Sequence, residues 1–177
     1  LHRIDSSAAT RDSTCVRKRR GLYARKETDL ASPFEVRIVD WDAARADARP
    51  VRHTVFVVEQ QVPLELEWDD RDAVCDHAIA YDAAGRPIGT GRLLPDARIG
   101  RMAVVAEWRG KGVGAAILAA LLERARQRGK QRVTLHAQTH AAGFYAKYGF
   151  VTEGAVFIEA DIPHVTMTRT LPAGERS

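Results

Sequence analysis

Two cysteines, Cys15 and Cys75, are too few for a disulfide framework, so a non-covalent core must hold this chain together. Aromatic residues make up only 7% of it, which leaves the core to aliphatic side chains. No apolar run approaches the roughly 18 residues of a membrane span. No signal-peptide pattern is visible either, so no membrane partner is expected and the cytoplasm is the expected compartment. Cys75 and His77 stand close in sequence but lack a second ligand pair at zinc spacing, and no metal is expected. There is no internal repeat. What remains is 177 residues at 45% hydrophobic and 28% charged, one domain's worth of globular chain with enough length for a real core.

The net charge of +4 raises the question of a nucleic-acid partner, and its location answers it. Residues 1–33 hold eight Lys/Arg against four Asp/Glu, a net of +4. The rest holds 27 − 8 = 19 basic and 23 − 4 = 19 acidic residues, a net of zero. The domain body therefore has no global positive field, and no nucleic-acid partner is expected of it. Residues 1–33 show no periodicity and read as a disordered basic extension; the other reading is an arm that touches an acidic partner. Residues 172–177 read as a polar tail, which leaves 34–171 as the domain.

Within the domain, Ile99 to Gly129 is the organising stretch. Met102 to Ala106 is a short valine-rich run with the look of a buried strand. Arg109-Gly110-Lys111-Gly112-Val113-Gly114 follows, and then Val113, Ile117, Leu118, Leu121, Leu122 and Ala125 recur at helical spacing. Gly129 ends the helix, with Arg124, Arg126 and Arg128 at its negative end. A strand that feeds a glycine turn into a helix N-terminus makes an anion site, because the first amides of a helix lack partners and glycine removes the Cβ atoms in the way. The alternative is a flexible turn before an ordinary amphipathic helix. A Walker A loop is excluded, since Lys111 is followed by Gly112. A dinucleotide fingerprint fits Gly110, Gly112 and Ala115 formally, but Lys130 to Val133 supplies no acidic residue for a ribose.

Flanking segments supply the rest of an α+β layout with a mixed sheet. Strands are predicted at Phe34–Val39, His77–Tyr81, Pro87–Leu94, Arg132–Ala137, Phe150–Ala160 and His164–Leu171. Asp40 or Asp42 can cap a helix that Pro50 interrupts, with a second helical segment over Val51–Glu59. Glu65 to Asp72 reads as an acidic loop, and His140–Lys147 as a short helix.

Arg109, Gly112 and Gly114 after Met-Ala-Val-Val resemble the Arg-x-x-Gly-x-Gly acyl-CoA signature of the GNAT family of N-acetyltransferases. A second block, Phe144-Tyr145-Ala146-Lys147-Tyr148-Gly149-Phe150, resembles that family's Phe-Tyr-x-x-x-Gly-Phe segment. Val55–Gln61 and Ile162–Met167 look like its ElaA-like branch, and the blocks together span most of the chain. The resemblance implies a mostly antiparallel central sheet flanked by helices, with the strand at Met102–Val105 splayed from its neighbour. It implies acetyl-CoA as acyl donor, held by Met102, Ala103 and Val104 along the pantetheine arm. Gly110, Lys111, Gly112, Val113 and Gly114 would meet the pyrophosphate, with Arg109 beside it. Transfer would go directly to a primary amine of a small molecule or peptide, with Tyr145 as the acid for the departing thiolate and Tyr148 as its nearest decoy. Glu59 is the first candidate for the base and His77 the second. Glu59, Trp68, Asp69, Asp70 and His77 are candidates for contacting a cationic acceptor. His136, His140 and His164 are left as ordinary structural histidines, and Gln138 stands where many family members have Asn. A second reading keeps the fold as a non-catalytic acyl-CoA sensor. Oligomeric state is not legible, and a homodimer is kept as one option.

Overall fold

The computed structural model describes residues 33–172; the expected basic extension, save its last residue, and residues 173–177 of the tail lie outside the described residues. Seven strands form one sheet: β1 Phe34–Val39, β2 Asp76–Asp82, β3 Pro87–Leu93, β4 Arg98–Val104, β5 Arg132–Gln138, β6 Val151–Glu159 and β7 Ile162–Thr170. Their spatial order is β1-β2-β3-β4-β5-β7-β6, and every pairing is antiparallel except β4 with β5. Parallel neighbours need a crossover, and α3, Val113–Gln127, provides it.

All six apolar positions picked from the spacing of α3 are buried, and Ile117, Leu118 and Leu121 are fully so. They pack on Ala78, Ala80, Ile88, Val133 and Leu135 of the sheet. β3 presents Gly89 and Gly91 to this helix. A Cβ at Gly91 would stand 2.9 Å from Ile117 Cγ2 and 3.0 Å from Leu121 Cδ1, so glycine here is what allows the helix to approach. On the other side of the sheet, α1, Trp41–Arg52, sets Ala44 and Ala48 against Ile79 and Tyr81. Asp40 caps α1 by accepting from the Ala43 amide at 3.0 Å.

Two expectations need correcting. Pro50 lies inside α1 and does not interrupt it. Val51, Arg52 and Val55, all buried, hold the chain on the sheet past the proline, and the helix continues over His53–Glu59 with a widened pattern. Gln60 N–H, for example, reaches back to Val55 O at 3.2 Å. The segment read as an acidic loop contains a helical turn, α2, Leu64–Glu67, and a 3-10 turn at Asp70–Val74. Its carboxylates are drawn inward by arginines. Arg52 donates to both oxygens of Asp72 at 2.9 Å, to Glu67 O at 2.7 Å and to the Glu67 carboxylate. Arg92 donates to both oxygens of Asp69 at 2.7 Å and to Asp72 at 2.6 Å. Arg101 completes the set, 3.3 Å from Glu67 Oε2 and 3.4 Å from Asp69 Oδ2.

Candidate active site

β4 pairs with β5 only at Arg98↔Thr134 and Ile99↔Leu135, and beyond these two pairs the strands part. On its other edge β4 carries a bulge: the register against β3 slips between Thr90 and Arg92, and Arg101 there has φ 51. The parted strands open a cavity of about 450 Å³. Gly100, Arg101 and Met102 line it from β4, and Leu135, His136 and Gln138 from β5. The helical segment adds Phe56 and Gln60, the acidic turn adds Glu67 and Asp69, and the β6–β7 hairpin adds Glu159, Ile162 and His164. Gln138 Nε2 donates to Gln60 Oε1 at 2.8 Å and ties β5 to the helix end.

At the end of β4 the chain enters the glycine turn. Gly110 and Gly112 adopt φ 74 and φ 86, a conformation that favours glycine, and no atom lies within 4 Å of where a Cβ would stand. No side chain caps α3, and Ala116 N–H to Gly112 O, 3.0 Å, is its first bond. The preceding amides, Val113 and Gly114 among them, therefore lack helical partners and suit an anion. Lys111 sits with its ammonium 5.0 Å from the Trp108 ring centroid, which leaves its charge at the turn. Arg109 Nε donates to Val104 O at 2.9 Å, and its guanidinium pairs with Glu59.

Tyr145 lines the cavity from α4, Ala142–Ala146, and its hydroxyl lies 3.7 Å from Met102 Sδ. Burial pushes that hydroxyl up to about 12, so it is held protonated at neutral pH. Phe144 and Phe150 meet the Tyr145 ring edge-on at 5.0 and 6.0 Å and fix it. Tyr148, the decoy, packs on Phe144 and does not line the cavity.

The acceptor-side expectations fare differently. Glu59 belongs to the Arg109 pair and lies outside the cavity lining. Trp68 stacks under Arg49 and Arg52, with centroid distances of 5.2 and 4.9 Å, and also lies outside that lining. Asp69 does reach the cavity, but Arg92 holds it down at about 2 and occupies its oxygens. Asp70 does not line it. His77 is corrected to a structural role: it is 1% exposed, lies against Trp41 at 4.8 Å, and donates from Nε2 to Asp72 O at 2.9 Å. Burial lowers its pKa and keeps it neutral there.

Sequence reasoning passed over Arg101 and Glu159. Nothing in the sequence marks Arg101, because a bulge decides where it points. Glu159 had a signal: it is two residues from Phe157 and so on the same strand face, the face that His164 and His136 share. It accepts from His136 Nδ1 at 2.9 Å. Burial raises its carboxyl, but the His136 hydrogen bond and the neighbouring His136, His164 and Arg101 outweigh that and hold it below the usual range. Among the described residues, no three His, Cys, Asp or Glu side chains are grouped to hold a metal, and no helix is long and apolar enough to cross a membrane.

Comparison with known proteins gives the family. The model of the acetyltransferase (GNAT) domain matches residues 47–171. The uncharacterized N-acetyltransferase YjcF of Bacillus subtilis is 39% identical over 127 residues, 70% of this chain and 90% of that protein. Among solved structures, an acyl-CoA N-acyltransferase from Pseudomonas aeruginosa is 30% identical with a TM-score of 0.69, covering 77% of this chain and 99% of the other. Escherichia coli ElaA has a TM-score of 0.69 at 28% identity, with the same coverage. The chain thus belongs to the GNAT acetyltransferase family, in its ElaA-like branch.

Proposed function

We propose that this protein transfers an acetyl group from acetyl-CoA directly to a primary amine of a small molecule or peptide. The observation that carries the reading is the parting of β4 from β5 next to the glycine turn, with the Tyr145 hydroxyl beside Met102 in the gap. Past Ile99, β4 has no β5 partner, so the backbone edge of Met102, Ala103 and Val104 that faces away from β3 can meet an extended amide-bearing arm, with Arg109 Nε already on Val104 O. The amides at Gly110 to Gly114, with Lys111 and Arg109, suit the pyrophosphate at the end of that arm. Acetyl-CoA supplies the activated thioester. The chain's own contribution is to hold it against the acceptor cavity, so that attack becomes effectively unimolecular. Tyr145, a phenol protonated at neutral pH, donates a proton to the departing sulfur. Glu59, paired with Arg109, holds that arginine at the donor side.

The test has two arms. Acetyl-CoA at about 100 times its dissociation constant should stabilise the fold by about 2.7 kcal/mol, a shift of several degrees. Tyr145→Phe should keep that shift and lose about 100-fold or more in CoA release with a panel of primary amines. Absence of any shift overturns the donor site. A shift with no CoA release from any amine turns the reading into that of an acyl-CoA sensor.

A further inference from the structure

The hairpin at the far wall of the cavity carries an imidazole in a defined state. His164 of β7 is paired in register with Gln138 of β5 on one side and Phe157 of β6 on the other. Cross-strand partners share a face, so His164 stands on the side of the sheet that also bears His136 and Glu159. Its Nδ1 lies 2.8 Å from Ile162 O. A carbonyl oxygen only accepts, so Nδ1 carries the proton and the lone pair of the neutral ring is on Nε2. Among the described residues Nε2 has no hydrogen-bond partner. The residue is 9% exposed, and it lines the cavity. Phe157 stacks on the ring at 6.0 Å and 25°. One neutral tautomer, held by the bond to Ile162 O, and an unpartnered nitrogen on a side chain that lines the cavity are what a general base requires.

Position favours it over its neighbour. Met102, which Tyr145 touches, lies past the last β4–β5 pair, towards the end of β5 that Gln138 closes. α4 begins just beyond Gln138, and His164 is the residue opposite Gln138. His136 is two residues further back, about 7 Å along the strand, with Nδ1 given to Glu159. The charged and titratable groups that line the cavity with His164 are Glu159 of β6, His136 of β5, Arg98 and Arg101 of β4, Arg92 of β3, Glu67, Asp69 and Arg71 of the acidic segment, and Tyr145 of α4.

We propose that His164 Nε2 is the base that takes the proton from the acceptor amine. This rests on the transfer reading above. The amine nitrogen forms a bond to the acyl carbon and the carbon–sulfur bond breaks. The nitrogen's proton goes to Nε2, while the sulfur takes one from the Tyr145 hydroxyl. Imidazolium and phenolate then re-equilibrate through solvent, leaving amide and free thiol.

Two measurements on the full chain test it. Long-range proton–nitrogen spectra of the imidazoles, assigned by comparison with His164→Asn, should show His164 protonated at Nδ1 and bare at Nε2; a proton on Nε2 at neutral pH overturns the proposal. The asparagine amide can keep the bond to Ile162 O while removing the base, so this variant is also the kinetic probe. With acetyl-CoA and the panel of primary amines, His164→Asn should lose about 100-fold or more in kcat. It should also lose the acid-side fall of the wild-type rate profile, with acetyl-CoA affinity by calorimetry unchanged. His136→Asn should keep that fall. Wild-type kcat in His164→Asn, or loss of the fall in His136→Asn alone, overturns this assignment and leaves the transfer reading intact. A wild-type protein that binds acetyl-CoA yet acylates none of the panel overturns both.

Discussion

Arg52→Met replaces the central cation of the buried network with an apolar side chain of similar length, and its consequences can be worked through. Arg52, Arg92 and Arg101 face Glu67, Asp69 and Asp72, three charges of each sign. Arg52 is 1% exposed and the side chains of Glu67 and Asp72 are 2% and 3% exposed, so water does not compensate for its loss. Asp72 keeps Arg92 at 2.6 Å, but Glu67 retains only Arg101 at 3.3 Å. Breaking such a buried pair costs about 3–5 kcal/mol, a large share of the about 5–15 kcal/mol that holds a domain folded. At about 2 °C or more per kcal/mol for a chain of this size, Tm should fall by at least about 6 °C. The loss has a pH signature. Burial already raises Glu67 above its ordinary value, with Arg52 the leading opposing influence. In the variant that opposition is gone and the rise grows. A carboxyl with a raised folded pKa binds more protons folded than unfolded, so its stabilisation is complete below the unfolded pKa and is lost as pH rises through the folded one. The difference in urea-unfolding free energy between wild type and variant should therefore shrink as pH falls from 7.5 towards 5, the numbers marking only a window above the ordinary carboxyl range of about 4.3. His77 adds to the same trend: its lowered pKa costs stability as pH falls, and since Arg52 is one of the charges that lower it, the variant loses less on this account than wild type and the difference shrinks further. A difference below about 1 kcal/mol, the worth of a surface pair, or one that does not change with pH, refutes the reasoning.

Two glycines give further tests. Gly112→Val puts a β-branched residue at φ 86; about 1–2 kcal/mol of stability should be lost by urea titration, and acetyl-CoA should bind more weakly by calorimetry. Unchanged affinity would separate the turn from the donor site. Gly91→Ala drives a methyl against Ile117, Leu121 and Met102, at 2.9, 3.0 and 3.2 Å, and should lower stability by about 1–3 kcal/mol in the same titration. A neutral effect would mean that α3 can lift from β3 at no cost.

The helix α3, the glycine turn before it and the block that carries Tyr145 were legible in the sequence because their signals are local. The α3 face follows a 3.6-residue period, the turn needs glycine at the alternate positions 110 and 112, and Phe144 to Phe150 form one continuous block. The acceptor half is built from residues far apart in the chain, so no window contains its pattern. Asp69 and Trp68 looked like contacts for a cation because the arginines that claim them, Arg92 and Arg52, lie 23 and 16 positions away. Pro50 misled for a related reason: the propensity rule prices a lost hydrogen bond, while burial of Val51, Arg52 and Val55 decides the outcome.

β4 joins the two halves, and its bulge is the reason it can. Two demands fall on one strand: Met102 to Val104 must leave β5, and the acceptor cavity needs a floor. The extra residue opposite Gly91 meets both, because it bends the strand and sends Arg101 towards α2. A non-glycine residue at φ 51 costs about 1–2 kcal/mol. Arg101 recovers this through Leu66 O at 3.1 Å and its contacts with Glu67 and Asp69. The acidic segment that reads as a solvated loop therefore helps to hold β4 in its bent course, because Glu67 and Asp69 both pair with the bulged Arg101.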